Sequence, residues 1–288
     1  VIFAVTRVLK RRYYAKRTKV PKNVVITGGT RGLGKALVIE FAKRGNTVVF
    51  CGRDENSVKD IVKELDSKYP SKVIGFACDV SDYNQVHAFA TAAKKALGNI
   101  DVWINNAGIT SQKKPLMDLD VKDYTQVINT NLLGTLHGCK EAIKVMLEQE
   151  QGGHIFLMEG TGSSQNTTPN NSAYGSSKSA IRQLGKTLAA EMKDEHKKIG
   201  IHRISPGMVL TDLLLSGNRT QYALGIFNLL AEKPSTVAKF IVDEVYIVTA
   251  RQCTGQFVQY LTKTGVVIRF LTFWRRRGRF FDAMGRLR

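Results

Sequence analysis

A tyrosine and a lysine four residues apart, Tyr174 and Lys178, are the side chains of this sequence whose types and spacing best suit proton transfer. Positions i and i+4 of a helix lie on one face, so the phenol and the ammonium would project into the same space. A lysine cation close to a phenol favours the phenolate and lowers the tyrosine pKa toward the range of a general acid. An exposed pair without function has the same spacing, so the surrounding motifs must decide.

The second motif is a glycine-rich loop near the N-terminal end of the chain. An apolar run, residues 24–27, leads into Gly28, Gly32 and Gly34 and then into helix-forming residues 35–41. Glycines allow the tight turn, the approach of backbone to phosphates and the packing of helix on strand, while the helix N-terminus offers amides and a positive dipole end. The loop predicts a cradle for a nucleotide pyrophosphate, although such loops also occur as plain turns.

Two arginines indicate which dinucleotide the loop would hold. Arg31 lies inside the glycine loop, and Arg53 follows a second apolar run, residues 46–51. Sites for NAD commonly place an acid here for the ribose 2′-hydroxyl, whereas guanidiniums form charge-assisted hydrogen bonds to a 2′-phosphate. We therefore expect NADPH/NADP+. Two alternatives stay open: both arginines could be solvated surface residues, and Asp54 could reach the ribose if the strand ran one residue further.

Strands that alternate with helices would position these motifs. Apolar runs typical of strands cover residues 24–27, 46–51, 72–78, 100–104 and 154–158. The pattern predicts an α/β fold, a three-layer doubly wound parallel sheet of Rossmann type, with its ligand crevice at the carboxyl ends of the strands. Asp79 and Asn105 fall at such ends. A long helix is predicted from about residue 120 to residue 146, in which Asn131 needs a hydrogen-bonding reason to face inward.

Composition limits the class of protein. The 288 residues are 43% hydrophobic, which can build a sizeable core, and the formal net charge is +19. Residues 1–22 hold eight Lys/Arg and no acid, and residues 263–288 hold eight Lys/Arg and one acid, so the basicity belongs to the ends. No run of about 18 apolar residues occurs, which argues against a membrane-spanning helix. The four widely separated cysteines show no metal-ligand spacing, so we expect a reducing compartment, no disulfide and no metal.

Taken in chain order, several motifs resemble those of the short-chain dehydrogenase/reductases, over roughly residues 22–262. These are residues 27–34, Asn105-Asn106-Ala107-Gly108, Asn131, Tyr174-xxx-Lys178 and Ser205-Pro206-Gly207. The resemblance implies that Tyr174 protonates a substrate carbonyl oxygen as hydride arrives, that Lys178 holds the nicotinamide ribose and lowers the tyrosine pKa, and that Asn131 retains a water of the proton relay. It implies a cofactor site that contains Gly28, Thr30, Arg31, Gly32, Leu33, Gly34, Arg53, Asp79, Val80, Asn105, Ala107, Gly108, Tyr174, Lys178, Pro206, Gly207, Val209 and Thr211.

The chain departs from this family where a catalytic serine is usual. That serine commonly lies 13 residues before the tyrosine, and this chain has Thr161 at that position. The usual Ser-Ser pair at the end of the strand is replaced by Glu159-Gly160. Thr161 or Ser163 could supply the hydroxyl that polarises the carbonyl, and the narrower resemblance described next favours Ser163.

The distal half is similar to a narrower group, the chlorophyll(ide) b reductases of plants and algae, of the non-yellow-colouring type. The similar segments are residues 152–156, 205–209, 211–217 and 228–234. This resemblance implies NADPH-dependent reduction of the 7-formyl group of chlorophyll b to 7-hydroxymethyl chlorophyll a at a plastid membrane. The apolar stretch 222–230 suits a lid over a flat hydrophobic substrate, and it also suits an ordinary packed amphipathic helix.

The basic ends suggest location and partners. We divide the chain into a basic arm, residues 1–21, a Rossmann-type reductase domain, residues 22–262, and a basic aromatic extension, residues 263–288. The arm suits the remainder of an organelle transit region, a basic arm, or both, and we expect a chloroplast protein peripheral at the thylakoid membrane, or alternatively a mitochondrial one. The extension interleaves aromatics with arginines, which suits an anionic membrane surface, RNA phosphates or an acidic protein surface.

Two readings of function therefore remain open. The first is a reductase that acts on a hydrophobic carbonyl substrate such as chlorophyll b. The second is a reductase-fold structural subunit of a large organellar complex, which binds NADPH with little or no turnover. The fold serves many carbonyl substrates, so the sequence fixes neither the substrate nor whether the chain forms a homo-oligomer.

Overall fold

A computed structural model describes residues 22–195, 198–216, 220–251, 253–282 and 285–287. The basic arm predicted for residues 1–21 lies outside the described residues. None of the helices in these described ranges is long and apolar enough to cross a membrane.

The described residues form one seven-stranded sheet in which every neighbouring pair of strands is parallel. Its order is β3-β2-β1-β4-β5-β6-β7. The strands are β1 (Asn23–Thr27), β2 (Thr47–Gly52), β3 (Val73–Ala77), β4 (Val102–Asn105), β5 (Gly153–Met158), β6 (Ile199–Ser205) and β7 (Phe257–Gln259). The strand order reverses between β1 and β4, where such sheets open their ligand crevice. The prediction of a doubly wound α/β fold is confirmed.

Helices cover both faces of the sheet. Those before the fifth strand are α1 (Gly32–Lys43), α2 (Glu55–Asp66), α3 (Tyr83–Leu97), α4 (Val121–Ile128) and α5 (Gly134–Leu147). Those after it are α6 (Ser172–Glu195), α7 (Asp212–Leu215), α8 (Gln221–Leu230), α9 (Pro234–Thr249) and α10 (Lys263–Leu271). Short 3-10 turns span Leu116–Asp118 and Phe273–Arg275.

Side chains that alternate along the strands build two separate cores. On β1, Val24 and Ile26 join a cluster with α1, α2 and α9, while Val25 joins the opposite cluster with α3, α5 and α6. All three side chains are fully buried, as expected for a central strand covered on both faces. The largest buried side chain, Trp103 of β4, lies in the second cluster. The sheet is therefore rigid at the place where its order reverses.

The long helix predicted for residues 120–146 is interrupted. Between α4 and α5 the chain makes a π turn, Asn129–Leu133. Asn131 lies in this turn and is fully buried. A π turn inserts one residue into the helical register and is frequent at functional sites. The interruption turns the Asn131 side chain toward the loop that follows β4.

The C-terminal segment, residues 263–282 and 285–287, folds back onto α8. Phe280 and Phe281 are buried there, in a small cluster that also contains Leu224 and Phe227 of α8. The Asn228 amide holds the strand-like backbone of the segment, since its Oδ1 accepts from the Phe281 N–H at 2.9 Å and its Nδ2 donates to the Phe281 carbonyl at 2.9 Å. The extension predicted from residue 263 onward is thus packed on α8. Its limits as a separate unit stay a prediction.

Candidate active site

A cavity of about 400 Å³ opens at the carboxyl ends of β1 and β4. Most residues that the sequence predicted as site residues line it. These are Gly28, Thr30, Arg31, Gly32, Leu33, Gly34, Arg53, Val80, Ala107, Gly108, Thr161, Tyr174, Lys178, Pro206, Gly207, Val209 and Thr211. Residues that are distant in sequence therefore converge on one cleft, as the crevice rule for parallel sheets requires.

The glycine loop owes its shape to two positions. Gly28 has φ +67°, a left-handed conformation that turns the chain sharply off β1. A Cβ on Gly34 would lie 1.9 Å from the Gly28 carbonyl oxygen, so only glycine lets α1 start this close to the strand. Asn106 locks the arrangement, because its Nδ2 donates to the carbonyls of Thr27 at 3.0 Å and Gly28 at 3.1 Å. The N-terminus of α1 thereby faces the cavity.

Arg31 and Arg53 lie exposed on the cavity wall beside this loop. The strand β2 ends at Gly52, one residue beyond the apolar run 46–51 of the sequence, and Asp54 is the N-cap of the next helix. The Asp54 carboxylate accepts from the Ser57 N–H at 2.7 Å and from the Ser57 hydroxyl, and these hydrogen bonds lower its pKa. Its Oδ1 caps α2, and Asp54 also lines the cavity, so the alternative that this carboxylate reaches a ribose stays a prediction.

Tyr174 and Lys178 project from one face of α6 into the same cavity, and both are buried. The Lys178 Nζ lies 5.7 Å from the centroid of the Tyr174 ring and donates to the Met158 carbonyl at 3.0 Å. Burial raises the pKa of Tyr174 to about 12. Burial also lowers the pKa of Lys178 to about 8, against the opposing charge of Glu159.

Burial thus sets the direction of the Tyr174 pKa shift, and the expectation that Lys178 lowers the tyrosine pKa stays a prediction. Desolvation disfavours the charged form of each group, and it dominates both residues here. The ammonium packs over the ring and donates to a backbone carbonyl. Because burial raises the pKa of Tyr174 to about 12, its phenol is protonated at neutral pH. A protonated phenol is the form that a general acid needs.

The two candidate hydroxyls lie in different places. Thr161 is exposed and lines the cavity. Ser163 is buried, and its hydroxyl donates to the Gly160 carbonyl at 2.8 Å. Arg182 fixes the same turn by donating to the Ser163 carbonyl at 2.9 Å. The preference for Ser163 drawn from the resemblance thus meets a geometry in which Thr161 is the hydroxyl that faces the cleft.

Asp79 and Asn105 were predicted as cofactor residues, and the structure does not bring them to the cavity wall. Asp79 Oδ1 accepts from the Ser81 N–H at 2.9 Å and the Ser81 hydroxyl at 2.7 Å, which shapes the turn after β3. Asn105 is buried behind the wall, where its Oδ1 accepts from the Trp103 indole at 3.0 Å. Their neighbours along the chain line the cavity instead.

Asn131 ties three elements together. Its Oδ1 accepts from the Ile109 N–H at 2.8 Å and its Nδ2 donates to the Ile109 carbonyl at 3.0 Å. The same Nδ2 donates to the Ser177 hydroxyl at 3.1 Å, and Ser177 lies between Tyr174 and Lys178 on α6. This accounts for a buried asparagine within a helix. Asn131 does not line the cavity and holds the loop after β4 against α6.

A buried ion pair lies behind the tyrosine and lysine. Glu159 is buried, lines the cavity and pairs with Arg203, whose Nη1 lies 2.8 Å from the Glu159 Oε1. The Arg203 guanidinium also stacks over the Phe257 ring, 4.8 Å from its centroid. The Glu159-Gly160 sequence that replaces the usual serines therefore introduces a paired carboxylate beside Lys178.

The wall beyond Tyr174 is apolar. Ile109, Met208, Leu213 and Leu214 line it. Helix α8, the predicted lid, does not line the cavity itself. Its buried Leu224 and Phe227 cluster with Met208 and Leu214 of that wall. The far end of the cavity thus suits an apolar substrate, with α8 as a second layer above it.

Sequence reasoning missed several lining residues. Asn106, which holds the glycine loop, was part of a quoted motif but was given no role, and Glu159 was recorded as a departure without a function. Both stand directly after the ends of parallel strands, which is the signal that could have found them. Among the described residues no cluster of His, Cys, Asp or Glu could hold a metal ion. All four cysteines are free thiols, and Cys51, Cys78 and Cys139 are buried.

Comparisons with known proteins agree with this geometry. Residues 22–221 match the protein family described as short chain dehydrogenase. The chain is 41% identical over 282 residues to a protein of Oryza sativa subsp. japonica named a probable chlorophyll(ide) b reductase NYC1, chloroplastic, and the match covers 92% of this chain and 55% of that protein. It is 39% identical over 245 residues to the chlorophyll(ide) b reductase NOL, chloroplastic, of Arabidopsis thaliana, with 84% and 70% covered. The chain thus spans about half the length of the NYC1 relatives it matches.

Solved structures share the fold. A short-chain type dehydrogenase/reductase from Mycobacterium marinum superposes with a TM-score of 0.72 at 22% identity, over 83% of this chain and 94% of that one. An alcohol dehydrogenase from Thermococcus sibiricus, complexed with 5-hydroxy-NADP, superposes with a TM-score of 0.70 at 23% identity, over 83% and 95%. At this identity the likeness to solved structures concerns the fold alone. The family match and the sequence relatives confirm both resemblances seen in the sequence, to the broad family and to the chlorophyll(ide) b reductases.

Proposed function

Because this chain belongs to the short-chain dehydrogenase family, we propose that it is an NADPH-dependent reductase whose substrate is the formyl group of a chlorophyll b-type pigment. The observation that carries the proposal is the convergence of Tyr174, Lys178 and two cavity-wall arginines on one cleft. The relatives described above are named as reductases and dehydrogenases, and none as a subunit of an assembly. The structural-subunit alternative therefore has no observation in its favour.

The residues present fit a dinucleotide that carries a 2′-phosphate. The turn at Gly28 and the N-terminus of α1 present backbone amides to the cavity, which suits a pyrophosphate. Arg31 and Arg53 would hold the 2′-phosphate with charge-assisted hydrogen bonds, since the nearby Asp54 carboxylate is used as a helix cap. Pro206, Gly207 and Thr211 would line the nicotinamide end. NADPH, when bound, supplies the hydride.

The proton comes from the chain itself. Burial keeps Tyr174 protonated, so its hydroxyl can donate to the oxygen of a carbonyl that is being reduced. Lys178 carries a positive charge below its pKa of about 8, and that charge favours the phenolate left behind. The Thr161 hydroxyl lines the same cavity and would donate a second hydrogen bond to the carbonyl oxygen. Asn131, through Ser177, keeps α6 in register with this site.

The substrate and location rest on two supports. The apolar wall of Ile109, Met208, Leu213 and Leu214 suits a large hydrophobic ring system. The relatives NYC1 and NOL are named chlorophyll(ide) b reductases and chloroplastic, and we extend both descriptions to this chain. A position at the surface of the thylakoid membrane belongs to the same proposal, since the pigment dissolves in membranes.

The test is a turnover assay with the full chain. Purified protein is incubated with NADPH and either chlorophyllide b or detergent-dispersed chlorophyll b, and pigment chromatography follows the 7-hydroxymethyl product. We expect product with NADPH and much less with NADH at the same concentration. The Tyr174→Phe variant, which removes the proton donor and keeps the ring, is the matched control.

The outcomes separate the parts of the proposal. Product formation that persists undiminished in Tyr174→Phe would remove the assigned proton donor. Turnover of other aldehydes, such as a pterin aldehyde, with none of the pigment would leave a reductase and overturn the substrate. Absence of any NADPH-dependent turnover, together with no NADPH binding by calorimetry, would overturn the reductase itself.

A further inference from the structure

The C-terminal segment sorts its side chains in an unusual way. Residues 267–274 expose a nearly continuous set of large apolar side chains. Their exposed fractions are Val267 56%, Ile268 59%, Phe270 49%, Leu271 66%, Phe273 56% and Trp274 64%. No residue of α10 is buried. We name this set, on α10 and the following 3-10 turn, the C-terminal apolar face.

Half of the arginines in this segment point the other way, onto one carboxylate. Arg276 Nη2 lies 2.6 Å from the Glu232 Oε1, and Arg279 Nη2 lies 2.8 Å from the Glu232 Oε2. Arg269 Nη2 approaches the same Oε1 at 3.4 Å. Glu232 is buried, so these three guanidiniums are directed toward the protein. The rings of Phe270, Phe273 and Trp274 stay exposed.

Exposed cations flank the apolar face in sequence. Lys263, Arg275 and Arg277 are exposed, and residues 263–281 contain no Asp or Glu. The one acid of the segment, Asp282, pairs with Arg286. Exposed rings and aliphatic side chains flanked by lysine and arginine match the headgroup region of a bilayer with anionic lipid, where rings lie at headgroup depth and cations at the surface.

We propose that the C-terminal apolar face docks this protein on an anionic lipid bilayer. RNA fits the same residues less well, since three of the arginines are bound to Glu232 and the exposed Val267, Ile268 and Leu271 offer nothing to phosphates or bases. The face would lie in the headgroup region of the bilayer. Its helix has nine residues, too few to span a bilayer. Docking of this kind requires no new fold, because the anchor at Glu232 already presents the face.

Docking would bring the cleft to the membrane. The Arg269 Nη1 donates to the Leu230 carbonyl at 2.6 Å and the Arg276 Nε donates to the Leu229 carbonyl at 2.6 Å, which fastens the segment to the end of α8. Helix α8 in turn packs on Leu214 of the cavity wall. This step rests on the proposed function: a pigment that leaves the bilayer would enter beside the docking face.

The chain offers a built-in probe for the test. Its two tryptophans differ completely in exposure, because Trp103 is fully buried and Trp274 is 64% exposed. Any change of tryptophan fluorescence on lipid binding therefore reports on Trp274. The full chain is titrated with vesicles made of equal parts phosphatidylglycerol and phosphatidylcholine, and with vesicles of phosphatidylcholine alone, while emission and co-sedimentation are followed together.

We expect a blue shift of emission, loss of quenching by aqueous acrylamide and co-sedimentation with the anionic vesicles. Each outward cation contributes about fivefold to the affinity at low salt, so Arg275→Gln/Arg277→Gln should weaken binding by about 25-fold. Phe270→Ser/Phe273→Ser keeps Trp274 as reporter and should abolish the blue shift. The matched control is Leu116→Ser/Met117→Ser, an equally exposed apolar pair on another surface, which should bind like the unaltered chain.

Several results would overturn the proposal. Co-sedimentation without any change at Trp274 would assign binding to another part of the chain, such as the basic N-terminal arm. A Trp274 response to polyuridylate or to protein concentration alone, with none to vesicles, would assign the face to RNA or to a second copy. Equal binding by the Phe270→Ser/Phe273→Ser variant, shown to be folded by circular dichroism, would also remove the face. None of these readouts needs substrate, so a failure of lipid docking can be distinguished from a failure of the proposed reaction.

Discussion

Two buried clusters of ionisable groups behave in opposite ways. At Glu232, burial alone would raise the carboxyl pKa, but hydrogen bonds from Arg279 and Arg276 outweigh it and the net shift is downward. At the cleft, Tyr174 and Lys178 are buried as deeply, and burial sets both pKa values, near 12 and near 8. The Glu232 carboxylate has ion-pair partners that determine its pKa, whereas burial determines the pKa values of Tyr174 and Lys178.

The difference separates structure from chemistry. A buried charge whose partners are all in place gains little from a change of protonation, so the Glu232 cluster can only anchor. A phenol and an ammonium that desolvation holds away from their ordinary pKa values respond strongly to whatever charge enters the cavity. We therefore expect the reacting site to hold groups whose pKa values are shifted by burial and not restored by partners. A structural anchor such as Glu232 should instead hold buried charges that have ion-pair partners.

The largest effect should follow from Tyr174→Phe. Loss of the proton donor should reduce turnover by about 10²- to 10⁴-fold and leave the free energy of unfolding nearly unchanged. The matched control is Tyr246→Phe, because Tyr246 has the same 9% exposure and burial also raises its pKa to about 12. Its hydroxyl donates to Asn46, so that variant should lose about 1–2 kcal/mol of stability and keep its turnover. Steady-state kinetics with denaturant unfolding checks both, and similar kinetics for the two variants would contradict the contrast.

The next effect concerns the hydroxyl at the cleft. Thr161→Val should lower kcat by about 10²-fold, because it removes a donor that faces the developing oxyanion. Ser163→Ala removes a hydrogen bond to the Gly160 carbonyl within a turn, so it should lower stability by about 1 kcal/mol and kcat only slightly. Single-turnover rates of both variants decide the assignment. A larger loss in Ser163→Ala would return the role to the residue that the family resemblance favours.

On the anchoring side, Glu232→Gln should destabilise the protein by about 2 kcal/mol, because it leaves three guanidiniums without their common anion. Chemical denaturation measures this loss. Glu55→Gln serves as control, since the Glu55–Lys59 pair is about two-thirds exposed on both sides and should contribute less than about 0.5 kcal/mol. If Glu232→Gln also abolished turnover with intact folding, the separation of anchor from chemistry would fail.

How far the sequence could predict each cluster follows from the distances along the chain. Tyr174 and Lys178 were predictable because one helical turn brings them together, and the glycine loop because a strand, a turn and a helix follow one another directly. The joint at Glu232 was not, since its arginines lie about 40 residues away and only tertiary packing decides which of them turn inward. Composition showed a basic aromatic segment and could not show that three of its arginines pair with Glu232 while most of its rings stay exposed.

Within the cleft the same limit applies. The sequence placed Thr161 and Ser163 in one loop, two residues apart, and the backbone of that loop decides which hydroxyl faces the cavity. It also required a hydrogen-bonding reason for Asn131 without indicating a π turn, since a π turn depends on the tertiary contact with Ile109. Local spacing therefore predicted which residue types assemble, and packing decided their orientation.

A smaller effect is expected at the cofactor rim. Arg31→Ala and Arg53→Ala should each raise the KM for NADPH by about tenfold, as expected for the loss of an exposed charge-assisted hydrogen bond. The KM for NADH should stay unchanged, because NADH lacks the 2′-phosphate, and this serves as an internal control within each variant. Equal changes for both cofactors would mean that the arginines act on a part of the dinucleotide that the two share.

The smallest effect concerns Glu159, the charge at the cleft that partly offsets the effect of burial on the Lys178 pKa. The Glu159 charge opposes the lowering of the Lys178 pKa by burial. In Glu159→Gln this opposition is lost while the Arg203 cation stays, so the pKa of Lys178 should fall further below about 8. Activity that needs the ammonium is present below this pKa and lost above it, so the alkaline limb of kcat/KM should move to lower pH by less than about one unit.

Glu141→Gln is the control for this shift. Glu141 is equally buried, but it accepts from His87, Lys144 and Tyr83 on the surface of α3 and α5, and these hydrogen bonds outweigh burial and lower its pKa to about 2. Its loss should cost stability and leave the alkaline limb in place. If both variants shifted that limb alike, a general effect of lost negative charge would replace the specific one. A limb that moved in Glu159→Gln alone would place the carboxylate after β5 among the residues that position the reacting lysine.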